Sequence, residues 1–306
     1  MITVQNLSYE YPGKRALQEV SFTIPTGAIT ALVGPNGSGK TTLLRCLAAL
    51  TNPHSGNISV NGFDTVEQPH QVHLSVGYLK DLFGLYNDLT VEQSLQFMAY
   101  SRIPNDQDPD RAARQAAQFT GADRFLKQKI STLSRGMRQR VGIAQAIVHK
   151  PKVLLLDEPA SGLDPEGRYD LSGLLNRLRD EGMTLMVSSH ILAELEDYSS
   201  EMLIIREGRM IEHRQLANRR PERHTRIIQI RVTENAPAYR NAVAALRGVQ
   251  SVAVSENILL TELDLTLTPR QELLRQLIAA DIPVEEFTDQ KVDLQQEYIR
   301  SVTPNA

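Results

Sequence analysis

Gly34-Pro35-Asn36-Gly37-Ser38-Gly39-Lys40-Thr41 lies between an apolar run, Ala28 to Val33, and a stretch from about Thr41 to Leu50. In that stretch Leu43, Leu44, Leu47 and Leu50 recur at helical spacing. The segment has the pattern G-x-x-x-x-G-K-[ST] in its proper context, a strand before it and a helix after it. Glycines at 34, 37 and 39 let backbone N–H groups curl around phosphate oxygens at a helix N-terminus. Lys40 is placed to reach the outer phosphates, and the Thr41 hydroxyl to ligate Mg²⁺. Pro35, Asn36, Ser38 and Thr42 complete the set of candidate nucleotide-binding residues in this loop.

Further along, Val153-Leu154-Leu155-Leu156 is a continuous apolar run of the kind found in central parallel strands, and it ends in Asp157 and Glu158. A carboxylate at the strand tip suits the Mg²⁺ shell, and a second one beside it suits the orientation and polarisation of an attacking water. An apolar strand ending in acids is common. Paired with the phosphate loop, it becomes the other half of a nucleotide-hydrolysing site, with Asp157 and Glu158 in those two roles.

The elements between and around these stretches follow from pattern. Ile2 to Leu7, Val20 to Ile24 and Thr184 to Ser188 read as strands, and Met202 to Ile205 with Arg209 to Glu212 as a hairpin about Glu207-Gly208. Thr90 and Gln93 form a capping-box pair ahead of a helix to Arg102, and Asp108-Pro109 opens another that Gly121 ends. A mostly helical insert therefore spans about residues 88–150. Cys46 reads as a packing residue, since nothing beside it marks an activated thiol. His70 and His73 read as surface residues without metal spacing.

The chain has 306 residues, enough for one large or two smaller domains. Its 33 Lys and Arg against 36 Asp and Glu give a net charge of -3, which does not fit a bulk nucleic-acid binder. One cysteine excludes an internal disulfide and a cysteine metal cage. No stretch approaches the ~20 apolar residues of a membrane span, and Met1 to Lys14 lacks the apolar centre of a secretory signal. The expected location is cytoplasmic, with any membrane part supplied by another chain.

Other motifs resemble one family. Leu133-Ser134-Arg135-Gly136-Met137-Arg138-Gln139-Arg140 resembles the L-S-G-G-Q signature of the ATP-binding cassette family. Ser161-Gly162-Leu163-Asp164-Pro165 resembles its D-loop, and His190, after Val187-Ser188-Ser189, its switch histidine. Tyr11 stands where the family places an aromatic that stacks on adenine. The order from Tyr11 through Lys40, Ser134, Asp157 and Asp164 to His190 is the family's order, and the resemblance covers about residues 1–215.

The resemblance implies a P-loop NTPase cassette of α/β class that dimerises head to tail with a second copy of itself around two ATP. Ser134 and Gly136 would then meet the ATP of the opposite chain, with Asp164 counted among the ATP-binding residues. Glu158, His190 and Lys40 would be the catalytic residues, His190 sensing the γ-phosphate. Two motifs depart from the pattern. Arg135 and Met137 replace Gly and Gln in the signature. Asp81, in Gly77-Tyr78-Leu79-Lys80-Asp81, stands where the family's Q-loop has Gln. A carboxylate there can meet Mg²⁺ directly or through water, as Asp157 would through water, but cannot donate a hydrogen bond as Gln does. A loop carboxylate facing a membrane partner is the alternative.

Gly84-Leu85-Tyr86, the Leu89-Thr90-Val91 that follows and an appended domain of about 80 residues look like the ATPase subunits of type-2 bacterial exporters, whose permease is a separate polypeptide. This implies an ATPase subunit peripheral on the inner face of the cell membrane, with the region from Asp81 to Gln93 receiving the permease. A cassette ATPase acting on ribosomes or DNA is the competing reading. Translation factors of the superfamily fuse two cassettes, and DNA-repair members carry long inserts or zinc cysteines. This chain has one motif set and one cysteine, so no nucleic-acid partner is expected.

The expected domains are a cassette over 1–218, a polar and basic linker over 219–226, and a small α+β domain over 227–306. In the last of these Ile228, Ile230 and Val232, then Leu263, Leu265 and Leu267, alternate as strands. Helices are expected over Ala236 to Arg247, Pro269 to Ala280 and Asp293 to Val302, and a strand over Val284 to Phe287. A β-α-β-β-α-β order suits a ferredoxin-like module.

Overall fold

The computed structural model describes residues 1–81, 83–104, 107–191, 195, 198–216, 225–265 and 267–289. It divides into two compact units, one running from Met1 to Leu216 and one within 217–293. In the first unit Ile2–Tyr11 (β1) and Lys14–Ile24 (β2) form a hairpin longer than the sequence suggests, turned at Pro12-Gly13. Ser55–Val60 (β4) and Phe63–Asp64 (β5) extend it to an antiparallel sheet in the order β2-β1-β4-β5. Ile29–Val33 (β3) belongs to a second sheet with Val76–Leu79 (β6), Val153–Leu156 (β7), Thr184–Ser189 (β8), Glu201–Arg206 (β9) and Arg209–Gln215 (β10). Its order is β10-β9-β3-β8-β7-β6, parallel from β9 to β6 and closed by the antiparallel β10. β7 is thus interior but not central, lying one strand from the edge.

The apolar runs of this sheet bury both faces, as parallel strands require. Ile29, Ala31, Leu154, Leu156, Leu185 and Val187 point into one core, while their neighbours Leu32, Val153, Leu155 and Met186 point into the other. Lys40–Leu47 (α1) and the antiparallel sheet close the second core. The sequence reading overextends this helix. It ends at Leu47, and Leu50 is 51% exposed instead of completing the buried face. Cys46 is fully buried, and burial pushes its thiol up to about 12, which keeps it protonated.

The first core is closed by Pro165–Asp180 (α6) and by an insert of helices Val91–Arg102 (α3), Pro109–Thr120 (α4) and Arg135–Ile147 (α5). Pro69–Ser75 (α2) leads into β6. The caps are those the sequence specifies. Thr90 and Gln93 exchange both capping-box hydrogen bonds, Asp108 caps α4, and Gly121 ends it at φ 73°.

His149 follows α5, with Nε2 3.1 Å from the Val76 carbonyl of β6 and Nδ1 buried without a partner. Burial, and then the charge of Arg102, lower its pKa from 6.5 to about 4. The folded ring is neutral, whereas the unfolded ring protonates below about 6.5. Its contribution to stability is therefore complete above that pH and is lost as pH falls towards 4. The loss amounts to at most about 3 kcal/mol. Thermal unfolding should show Tm falling across this window less steeply in His149→Gln, and parallel profiles would clear His149 of the effect.

In the second unit Thr225–Val232 (β11), Val249–Ser255 (β12), Ile258–Asp264 (β13) and Val284–Asp289 (β14) form an antiparallel sheet in the order β12-β13-β11-β14. Ala236–Ala244 (α7) follows β11 and Arg270–Ala279 (α8) follows β13, giving the ferredoxin-like order. The alternation at 263–267 misplaces one strand. β13 ends at Asp264, and Leu267 is 55% exposed. β12 has polar residues at 250, 251 and 255 and is not evident from pattern alone. The helix expected over Asp293 to Val302 lies outside the described residues.

Candidate functional site

β3 delivers the phosphate loop to the start of α1. Two of its glycines are demanded by the fold. A Cβ on Gly34 would sit 2.2 Å from the Ile205 carbonyl oxygen, and Gly39 takes φ 111° with a Cβ position 2.7 Å from the Ala16 oxygen. No described side chain caps α1, and its first turn carries no acidic residue, so its leading N–H groups and its dipole are left for an anion. Lys40 is 6% exposed and donates from Nζ to the carbonyls of Gly34 at 2.8 Å and Pro35 at 3.3 Å.

β7 and β8 place the carboxylates beside this loop. Asp157 is buried at the tip of β7, and the Ser188 hydroxyl of β8 donates to its Oδ1 at 2.7 Å. The same hydroxyl accepts the Glu158 N–H at 2.9 Å. Glu158 has φ 49°, a left-handed conformation that costs an L-residue of order 1–2 kcal/mol. Its carboxylate stands between two other expected residues, with Oε1 3.3 Å from Lys40 Nζ and Oε2 2.8 Å from His190 Nδ1. Glu158 thus touches both of the other residues assigned to catalysis, though the three lie far apart in sequence.

Lys40, Asp157 and Glu158 line a cavity of about 280 Å³ together with Tyr11, Asn36, Gly37, Gly39, Thr41, Thr42 and Asp81, and His190 meets the Glu158 carboxylate from outside that lining. Tyr11 is 38% exposed and makes an edge contact with Tyr9, ring centroids 4.9 Å apart. Ser38 is buried and Pro35 exposed at the loop. Lys14 and Ala16 also line the cavity, and the sequence reading missed both. Lys14 pairs with Tyr11 across the tip of the β1–β2 hairpin, so its signal was there once that hairpin was recognised. Ser188 was missed as well, because a serine inside a buried strand has no motif of its own.

A second cavity, of about 210 Å³, is lined by residues that include Ser134, Gly136, Met137, Asp164 and Gly167. Ser134 caps α5 by accepting the Met137 N–H at 3.3 Å, and Asp164 caps α6 by accepting the Gly167 N–H at 2.9 Å. The two cavities share no lining residue. Ser134, Gly136 and Asp164 therefore lie apart from the Lys40 cavity in their own chain.

Oxygen donors on Thr41, Asp157 and Asp81 surround the first cavity, a hard set suited to Mg²⁺. Among the described residues no three His, Cys, Asp or Glu side chains form a cage of their own.

Comparison with known proteins identifies the family. The family model described as ABC transporter matches residues 17–161. The uncharacterized ABC transporter ATP-binding protein YdbJ of Bacillus subtilis is 31% identical over 307 residues, covering 99% of this chain and 96% of YdbJ. The chain belongs to the ABC transporter ATP-binding proteins. YbhF of Escherichia coli, a probable multidrug ABC transporter ATP-binding protein, is 38% identical to this cassette over 213 residues. The match covers 69% of this chain and spans 37% of YbhF, little more than a third of its length. A solved ATP-binding subunit of an ABC transporter superposes on 71% of the cassette chain and 90% of its own, with TM-score 0.63 and 30% identity.

Proposed function

We propose that this cassette chain hydrolyses ATP and drives a separate transmembrane permease, most simply in an exporter, as a head-to-tail homodimer around two ATP. The observation that carries this reading is the contact of Glu158, which lines the phosphate cavity with Lys40, with both Lys40 and His190. Glu158 orients and polarises the attacking water. Lys40 moves from its carbonyl partners to the outer phosphates, and His190 contacts the γ-phosphate and holds the Glu158 carboxylate. Tyr11 offers its ring to the adenine. Thr41, Asp81 and, through water, Asp157 would hold Mg²⁺, which when bound neutralises charge on the phosphates.

Separation of the two cavities supports the dimer. Gly136 needs no close approach within its own chain, where a Cβ would meet only Leu163 Cδ2 at an ordinary 3.8 Å. Its open face, next to Ser134 at the N-terminus of α5, suits the phosphates of a partner's ATP. The domain scheme goes with this reading: a cassette over 1–218, a linker over 219–226 whose last two residues already belong to β11, and an accessory domain over 227–306. No helix among the described residues is long and apolar enough to cross a membrane. The exposed Tyr86, Phe97 and Tyr100, of which Tyr86 and Phe97 stack edge to face at 6.1 Å, favour docking on a permease from the cytoplasmic side. YbhF is named for multidrug transport, which is in keeping with an exporter.

The test is a pull-down of tagged Glu158→Gln chain from detergent-solubilised membranes with ATP and Mg²⁺. Near-stoichiometric recovery of a polytopic membrane protein is expected. Recovery of ribosomal or DNA-bound proteins without one would overturn the transporter reading.

A further inference from the structure

Asp81 and Arg135, two of the positions at which the sequence departs from the family pattern, meet in space. Arg135 Nη2 lies 4.0 Å from Asp81 Oδ1. The same guanidinium donates from Nε to the Ser161 carbonyl and lies 5.9 Å from the centroid of the Phe83 ring. It also fills the space beside Gly162, where a Cβ would sit 2.8 Å from Nε. One side chain, from the first residue of α5, thus touches both the D-loop and the loop that follows β6. Asp81 meanwhile lines the phosphate cavity with Thr41, Asp157 and Glu158. Its carboxylate therefore has the guanidinium on one side and the phosphate cavity on the other. A Gln at position 81 could not be shared in this way, because it carries no charge.

We propose that Asp81 is shared between Arg135 and the divalent metal that arrives with the nucleotide, so that filling the phosphate site frees Arg135 at the signature turn and D-loop of the same chain. Arg135 is in this sense a positioning residue. The proposal rests on the nucleotide-site reading above. A hard divalent ion competes well for a carboxylate, and the pair it must break is weak, its side chains 44% and 52% exposed.

The experiment titrates a fluorescent non-hydrolysable ATP analogue into the full chain, once with Mg²⁺ and once with EDTA. The quantity read is the ratio of the two dissociation constants. Arg135→Gln should enlarge the gain from Mg²⁺ about threefold, the scale of a half-exposed ion pair, and leave the affinity in EDTA unchanged. Arg135→Lys should return the ratio towards that of the parent. In an Asp81→Asn background Arg135→Gln should have no effect on the ratio. An unchanged ratio in Arg135→Gln, or a change that persists without Asp81, would overturn the sharing alone. A parent chain that binds no nucleotide would overturn the site reading and the sharing with it.

Discussion

Replacing Glu158 by Gln is expected to lower ATP hydrolysis by about 10³-fold or more while ATP binding stays close to that of the parent. The substitution keeps the size and removes the base. General-base help from a positioned carboxylate is worth about 10²–10⁴-fold, and loss of its charge beside the reacting water adds to this. Binding depends on other groups, namely the phosphate loop, the α1 N-terminus and Lys40. The geometry sharpens the expectation. Glu158 is the one carboxylate that touches both Lys40, at 3.3 Å, and His190, at 2.8 Å, among the described residues. Asp157 instead has its Oδ1 taken by Ser188. Phosphate release and fluorescent-nucleotide titration read the two quantities separately, and size-exclusion chromatography with ATP should show the variant as a trapped dimer. Hydrolysis at the parent rate would remove Glu158 from the catalytic role.

Much of this site was legible because its chemistry is local in sequence. The phosphate loop is one continuous segment, and the two carboxylates sit at the end of one apolar run. The capped helices of the insert were legible for the same reason, since Thr90 with Gln93, Asp108 with Pro109, and Gly121 each act within a few residues. What stayed hidden depends on contacts between distant segments. Ser188 ties Asp157 to Glu158 only because β7 and β8 are neighbours. Lys14 reaches the cavity only because the β1–β2 hairpin runs to Tyr11. The Asp81–Arg135 pair joins residues 54 apart, so each reads singly as a departure from a pattern. Leu50 and Leu267 show the opposite error. Both continue an apolar period past the point where the backbone turns away, and both are exposed.

Ser134→Arg is expected to abolish turnover, to below about 1% of the parent rate, without removing ATP from the Lys40 cavity. Ser134 lines a cavity that shares no residue with that one, so the substitution leaves the phosphate loop, Lys40 and the α1 N-terminus in place to hold ATP. In a head-to-tail dimer the opposite chain's γ-phosphate would face Ser134, and a long side chain at this position would fill the space where the two surfaces must close. The loss of a helix cap is a separate and smaller effect. The Ser134 hydroxyl accepts the Met137 N–H at 3.3 Å, and losing such a cap costs about 1 kcal/mol. Ser134→Ala removes the cap without adding bulk, so it isolates that term. The alanine variant should therefore lose a little stability and keep far more activity than the arginine variant. Titration of each variant with a fluorescent nucleotide, phosphate release and thermal unfolding separate binding, turnover and stability. Turnover at the parent rate in Ser134→Arg would contradict the sandwich, because a site complete within one chain has no use for an open signature surface.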